Sequence, residues 1–149
     1  MVKLTIPEMT DDEKEKFLEE QKVMRLATLS PNGTIHLVAM WYILIDGDIY
    51  FSTVSNSKKA RNLSAQSKIS IIIDTGEGFE LIKGVAIEGR AKPTTDEGII
   101  ARYEEKSISK YWGGPDNPIL KMMKEMGLKR TLFKIMPDKT RTWDYSKMA

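Results

Sequence analysis

The sequence has no cysteine and one histidine, His36, among its 149 residues. Without cysteine, the chain cannot form a disulfide, a thiolate metal site or a thiol nucleophile. A single histidine argues against a zinc site built from His and Cys side chains, and a Ser-His-Asp triad would have to use that one residue. We therefore expect no metal site, and we expect His36 to be structural or simply exposed.

The sequence also lacks a long apolar run and a large net charge. No apolar segment reaches the length of a membrane span, and the N-terminal residues MVKLTIPEMTDDEKEKF turn acidic without the apolar core of a signal peptide. The net charge of +2 is too small to indicate a nucleic-acid partner. With 41% hydrophobic and 30% charged residues, the composition predicts one globular domain over residues 1–149, located in the cytoplasm.

Short strand signals separated by turn residues run through most of the chain. Residues 23–30, 34–45 and 49–54 read as a three-strand meander, in which residues 34–45 form a single apolar strand. Further strands are predicted at residues 68–74 and 81–95, followed by extended segments in RTLFKIMP and TRTWDY. Gly84 and Gly89 indicate bulges or close backbone approaches. This pattern is typical of a small antiparallel barrel with peripheral helices.

Four helices are predicted around these strands. Capping boxes are predicted at Thr10–Glu13 and at Thr94–Glu97, each at the start of a helix. A short helix over residues 57–66 has Ala60, Leu63 and Ala65 as its apolar positions, and a last helix ends at Gly127. Residues 35–45 are apolar on both alternating sets, so both faces of that strand need cover. A second subunit or the chain's own helices would provide it, and we favour a homodimer.

The start of the helix at residues 57–66 carries an unusual charge pattern. Lys58, Lys59 and Arg61 lie in the first turn, where the helix dipole disfavours positive charge by about 0.3–1 kcal/mol for each residue. A bound phosphate would reverse the sign of that interaction, because unpaired N–H groups, cations and nearby hydroxyl groups would all favour one anion. A solvated basic surface without a ligand is the alternative reading of the same residues.

Five segments in this order resemble the pyridoxamine 5'-phosphate oxidase-like superfamily, the FMN-binding split barrels. The resemblance is nearer to the branch of deazaflavin-dependent reductases than to true pyridoxamine phosphate oxidases, and it extends over about residues 24–145. The matching segments are RLATLSPNGTIHLVAMWY, DGDIYFST, SKKARNL, KGVAIEGRAKPTTD and TRTWDY.

The resemblance implies a six-stranded split barrel that forms a homodimer, with two flavin cofactors at the dimer interface. It implies FMN as the cofactor, or a deazaflavin (coenzyme F-420) as the alternative, and hydride transfer to a small-molecule substrate. The bound flavin carries the reactive chemistry in such proteins, so no catalytic residue is assigned. The implied cofactor-binding residues are Val38, Ala39, Met40 and Trp41 along the ring, Ser52, Thr53, Ser57, Lys58 and Lys59 at the phosphate, and Asn62 and Trp143.

Three positions depart from the pattern of the oxidases that act on pyridoxamine phosphate. Those enzymes carry Arg, Lys and Gln where this chain has Leu37, Tyr42 and Gly84. We therefore do not expect pyridoxamine phosphate to be the substrate. Two other readings stay open, a non-catalytic flavin or haem binder on the same barrel and an oligonucleotide-binding barrel. Trp112, which precedes Gly113 and Gly114, lies at a break that could form a lid.

Overall fold

The computed structural model describes residues 3–148, which form four α-helices and one seven-stranded sheet. The helices are α1 (Asp11–Glu20), α2 (Lys58–Ala65), α3 (Glu97–Ser107) and α4 (Pro118–Glu125). The strands are β1 (Met24–Leu29), β2 (Ile35–Met40), β3 (Ile43–Ile45), β4 (Asp48–Val54), β5 (Lys68–Thr75), β6 (Lys83–Thr94) and β7 (Arg130–Asp144). A π-helical segment, Ile108–Trp112, continues α3, and 3-10 turns lie at Phe79–Leu81 and Tyr145–Met148.

The sheet is antiparallel, with the strand order β2-β1-β5-β6-β7-β4-β3. Strands β2 and β3 are the two edges of this sheet, yet only Trp41 and Tyr42 separate them along the chain. The sheet must therefore curl until its edges meet at these two residues. This is the predicted split barrel with peripheral helices, and the fold is confirmed.

The prediction of one strand over residues 34–45, and of a three-strand meander, is wrong. The chain leaves β2 at Trp41 because the Tyr42 side chain enters the core, where its hydroxyl donates to the backbone carbonyls of Leu18 and Gln21. Tyr42 N–H in turn donates to the Tyr111 hydroxyl, 3.1 Å away, instead of to a neighbouring strand. Because this run divides and the last two predicted segments form one strand, the sheet has seven strands instead of the six that the resemblance implies.

Most of the core lies inside the curled sheet. Its members come from the inward-facing positions of six strands, from α1 and α2, and from Tyr42 between β2 and β3. Met24, Leu26, Tyr42, Phe51, Ile73 and Val85 are among the most buried. A second cluster covers the outer face of β3, β4 and β7, where Ile43, Ile45, Tyr50 and Leu132 pack against Ile99, Tyr103 and Tyr111. Helix α3 and its π-helical extension therefore cover one outer part of the barrel.

The helix boundaries confirm some sequence signals and correct others. The capping box of Thr10 with Glu13 is confirmed, with both reciprocal hydrogen bonds present. The second capping box is wrong, because Thr94 still belongs to β6 and Asp96 caps α3 by accepting from the N–H of Ile99. Ala65, the last residue of α2, is exposed, and the buried residues of this helix are Ala60, Asn62 and Leu63.

The last two predicted extended segments form one strand. Strand β6 pairs over its whole length with the part of β7 from Leu132 to Asp144, and the register shifts between Glu88 and Gly89. A Cβ at Gly89 would stand 2.2 Å from the carbonyl oxygen of Met136, so the bulge needs glycine. The predicted irregularity at Gly89 is confirmed. No helix within residues 3–148 is both long and apolar enough to cross a membrane.

Candidate functional site

The predicted phosphate-binding residues lie where β4 ends and α2 begins. Ser57 caps α2, because its hydroxyl accepts from the N–H of Ala60 at 3.2 Å. Thr53, near the end of β4, is buried, and its hydroxyl lies 3.1 Å from that of Ser57. The two hydroxyl groups and the open end of the helix thus lie together, as the sequence predicts.

The cations of this helix start have no acidic partner in the part of the chain that the structure describes. Lys58 and Arg61 are exposed and Lys59 is half-buried. None of the three forms a salt bridge within residues 3–148. Asp and Glu are also absent from the first turn of α2, in contrast to α1, where Asp11, Asp12 and Glu13 occupy it. An anion at this helix start would therefore meet no competing carboxylate.

Arg130 joins this site from the first position of β7, and the sequence-based prediction missed it. Its Nε donates to the Ser52 hydroxyl at 2.9 Å, and its terminal nitrogen donates to the Ser52 carbonyl at 3.1 Å. The Lys129-Arg130 pair is visible in the sequence as a basic dipeptide. Only the pairing of β4 with β7 brings it beside Ser52, 78 positions earlier in the chain.

The structure places Ser52 and Thr53 on opposite faces of β4. Ser52 faces the outside of the barrel with Arg130, whereas Thr53 faces Ser57. A second hydroxyl pair, Ser55 and Thr131, lies beside them at 2.8 Å. One anion can therefore be held by the Thr53 side or by the Arg130 side, or it can sit at the strand end, where both faces are within reach.

Asn62 is placed apart from the exposed cations. Its side chain is 3% exposed, and its amide nitrogen donates to the hydroxyls of Thr28 at 3.1 Å and Ser30 at 3.3 Å. These bonds fasten α2 to the end of β1. Asn62 thus holds the helix in place, and its direct contact with a cofactor stays a prediction.

The four predicted ring-contacting residues lie on and just beyond β2, an edge strand. Val38 and Met40 pack against the core, while Ala39 and Trp41 are exposed. Among residues 3–148, β2 pairs only with β1, and β3 pairs with β4 only as far as Tyr50, so Phe51–Val54 extend beyond β3. Two incompletely paired strand edges therefore flank the region between β2 and the phosphate-binding residues. Free backbone donors and acceptors on such edges can bind a planar heterocycle.

An aromatic group stands where β2 crosses to β3. The Trp41 ring stacks on Tyr111 at 4.4 Å, with 9° between the planes, and meets the edge of Trp112 at 5.4 Å. Burial raises the pKa of Tyr111 to about 12, so its hydroxyl keeps its proton at neutral pH. That hydroxyl lies 2.7 Å from the Tyr42 carbonyl and 2.9 Å from the Lys22 carbonyl. Trp41 is therefore held from one side while it remains 44% exposed.

Trp143 lies at the opposite end of β7 from Arg130. It is 13 positions from Arg130, about 40 Å along an extended strand. Its contact with a cofactor, through a second subunit, stays a prediction.

Other candidate features lie away from this site. A cleft of about 640 Å³ runs between α3 and residues 113–115, lined by Ala101, Glu104, Ile108 and Pro115 among others, and none of its lining residues is a predicted cofactor ligand. His36 is half-buried on β2, opposite Thr28 on β1. Within residues 3–148, no group of three or more His, Cys, Asp or Glu side chains could hold a metal ion.

Comparisons with known proteins bear on both the fold and the family. Residues 10–144 match the family model described as pyridoxamine 5'-phosphate oxidase. No curated protein sequence matches the chain. The conserved hypothetical protein Rv2991 from Mycobacterium tuberculosis is 31% identical, with a TM-score of 0.85 over 98% of this chain and 91% of that one.

Two more distant structures share the fold. An FAD-binding protein from Mesorhizobium loti is 20% identical, with a TM-score of 0.65 over 93% of this chain and 95% of that one. An F-420 reductase is 21% identical, with a TM-score of 0.63 over 85% of this chain and 94% of that one. At these identities the likeness concerns the fold alone.

Proposed function

The chain belongs to the pyridoxamine 5'-phosphate oxidase family, and on that premise we propose that it is a flavin-dependent oxidoreductase that binds FMN. The phosphate of the cofactor would be held at the start of α2 by Ser57, Lys58 and Lys59, with Thr53 and Arg130 beside them. Its ring would lie along β2, from Val38 to Trp41. A bound flavin supplies the hydride-transfer chemistry itself. The chain binds it, orients it and shields it from water.

One observation carries this proposal. Three cations crowd the first turn of α2, and within residues 3–148 they have no salt-bridge partner, while Ser57 and Thr53 add hydroxyl groups at the same point. Each cation is unfavourable beside the positive end of an empty helix. A phosphate dianion gives all of them a partner, through charge-assisted hydrogen bonds.

The test is a fluorescence titration of the purified protein with FMN, before and after Lys58→Ala together with Lys59→Ala. We expect the double variant to bind FMN at least tenfold more weakly, while its thermal unfolding temperature stays within a few degrees of the wild type. Lys14→Ala with Lys16→Ala is the matched control, since it removes the same charge from α1. Equal FMN affinity in the Lys58/Lys59 variant and the wild type would refute the phosphate site.

A deazaflavin cofactor is the second candidate, and the number of cations favours it. Lys58, Lys59, Arg61, Lys129 and Arg130 cluster where α2 and β7 begin, and none forms a salt bridge within residues 3–148. One phosphate carries at most two negative charges, so a cofactor with further anionic groups would match this cluster better. The same titration with coenzyme F-420 measures the preference. Tighter binding of F-420 than of FMN would select this candidate.

Oxidation of NAD(P)H separates an enzyme from a protein that only carries a cofactor. If the protein binds FMN without catalysing NAD(P)H oxidation or reduction of any small molecule tested, the non-catalytic flavin binder is the better description. A haem binder would rely on His36 as its one imidazole, and His36→Ala would then remove the shift of the Soret band that haem shows on binding to the wild type.

We also propose that the protein is a homodimer, with the cofactor at the interface. The outer face of β2 supports this, because Ile35 and Leu37 are 67% and 65% exposed on an edge strand. Large apolar side chains exposed together mark interaction surfaces. Sedimentation equilibrium should give twice the mass of the 17.0 kDa chain, and Leu37→Glu should shift it toward the monomer. A wild-type protein that sediments as a monomer at all concentrations would refute the dimer.

A further inference from the structure

The amine of Lys110 lies inside the protein, against the faces of aromatic rings. Its Nζ is buried and has no hydrogen-bond partner within residues 3–148. It stands 4.3 Å from the centroid of the Tyr42 ring and 5.4 Å from that of Tyr111. Within residues 3–148, the ammonium group is therefore stabilised by cation–π contacts with these two rings and not by a hydrogen bond.

Stability alone does not account for an amine at this position. A buried polar group without a hydrogen bond costs free energy, and an apolar side chain of similar length would fill the same space without that cost. Burial lowers the pKa of Lys110 to about 8. Three charged groups also act on it: Glu19 raises its pKa, and Lys106 and Lys22 lower it. Glu19 also forms a salt bridge with Lys106, whose Nζ lies 3.6 Å from its carboxylate.

A short series of contacts links this amine to the predicted cofactor-binding edge. Tyr111 follows Lys110 in the π-helical segment, and its hydroxyl accepts from the N–H of Tyr42, whose ring lies under the Lys110 amine. The Tyr111 ring also stacks in parallel on Trp41. Trp41 is the first residue beyond β2. A change in how Lys110 contacts the two tyrosine rings therefore reaches Trp41 through direct contacts.

We propose that Lys110 is a positioning residue, whose charge holds the rings of Tyr42 and Tyr111 in register and thereby orients Trp41 at the end of β2. The charged amine is attracted to the faces of the two rings, and the neutral amine lacks this cation–π attraction. Loss of its proton removes this attraction, so the Tyr111 ring, still held at its hydroxyl by Tyr42 and Lys22, shifts its tilt and with it the stacking on Trp41. The consequence for cofactor binding rests on the proposed function, whereas the coupling of Lys110 to Trp41 is a property of the chain alone.

The coupling is measured by ¹⁹F NMR on the full chain labelled with 5-fluorotryptophan, titrated from pH 6.5 to 9.5. The Trp41 resonance is assigned with Trp41→Phe. In the wild type we expect this resonance to shift with a midpoint near pH 8. Lys110→Arg should keep the low-pH position throughout, because a guanidinium stays charged. Lys110→Met should show the high-pH position throughout, with no midpoint.

The tyrosine hydroxyls near Trp41 should not titrate between pH 6.5 and pH 9.5. Burial raises the pKa of Tyr111 and of Tyr103 to about 12, and it raises the pKa of Tyr42 as well. A Trp41 resonance that is constant in the wild type, or that keeps its midpoint in Lys110→Met, would overturn the proposal. If Lys110→Met does not fold, the wild type and Lys110→Arg still test the proposal, because the Trp41 resonance should shift with pH in the wild type and not in Lys110→Arg.

The consequence for the cofactor is measured separately, as the dissociation constant of FMN at pH 7 and pH 9. A cation–π contact contributes about 0.5–2 kcal/mol, so we expect affinity to fall about 2- to 30-fold in the wild type and to stay constant in Lys110→Arg. Equal FMN affinity at both pH values in the wild type would overturn the link to the site. Failure to bind FMN at pH 7 would instead refute the proposed function. The ¹⁹F experiment needs no cofactor, so it would still test the coupling of Lys110 to Trp41.

Discussion

The indole of Trp143 lies against the backbone of Gly84, its register partner across β6 and β7. An ideal Cβ at Gly84 would stand 2.2 Å from Cζ2 and 2.4 Å from Cε2 of that ring, closer than real Cβ contacts allow. The ring therefore fills the space that a side chain at position 84 would need.

Gly84→Ala should destabilise the protein. The indole must move to admit the methyl group, and overpacking of this kind costs about 1–3 kcal/mol. Urea denaturation of the variant measures the cost. Gly76→Ala is the control, since a Cβ there would meet only Ile82, at an ordinary 3.6 Å. Adding Trp143→Leu to Gly84→Ala should recover part of the loss, and no recovery would show that the clash involves other atoms.

Arg130→Met should weaken FMN binding about twofold to fivefold, because an exposed charged contact is worth up to about 1 kcal/mol. Arg130→Lys should lose less, since it keeps the charge but not the two bonds to Ser52. Arg141→Met, at the other end of the same strand, is the matched control. Isothermal titration calorimetry gives the three dissociation constants. If Arg130→Met and Arg141→Met bind FMN alike, Arg130 is no part of the site.

Asn62→Ala should lower the free energy of unfolding by about 1–3 kcal/mol, because the buried hydroxyl of Thr28 loses its described partner. Chemical denaturation measures this loss. Ser64→Ala, an exposed position on the same helix, should cost much less. FMN affinity measured well below the unfolding transition should hardly change. A large loss of affinity with full stability would instead assign Asn62 to the cofactor.

Glu13 links the two ends of the chain and should make stability depend on acid. A hydrogen bond from Lys147, at 2.6 Å, lowers the pKa of Glu13 to about 2, and the N–H of Thr10 adds to the effect. Because this pKa lies below the ordinary value of Glu, its contribution to stability is present above about pH 4.5 and is lost as pH falls toward 2.

Glu13→Gln should therefore unfold at a lower temperature than the wild type at pH 7, and the difference should shrink between pH 4.5 and pH 2. Differential scanning calorimetry across this range measures both quantities. Glu15→Gln, on an exposed part of α1, is the control and should show a smaller difference. A difference between Glu13→Gln and the wild type that is the same at every pH would exclude a role for the Glu13 charge.

Local signals in the sequence determined most of the secondary structure and the position of the basic helix start. Thr10 and Glu13 mark the start of α1, and Gly127, with φ of 63°, marks the end of α4. Ser57, Lys58 and Lys59 lie together because they are neighbours in the chain. Features of this kind depend on residues a few positions apart, so the sequence is enough to predict them.

Only the tertiary structure decided what distant segments do to one another. The apolar run over residues 34–45 divides because the core accepts the Tyr42 side chain, which no local pattern reveals. Arg130 reaches Ser52 only through the pairing of β4 with β7, and Lys110 acquires its buried place on two tyrosine rings only when α3 packs on the crossing between β2 and β3. Pairing and packing depend on the whole chain at once, because each buried group must find its partners among residues far away in sequence.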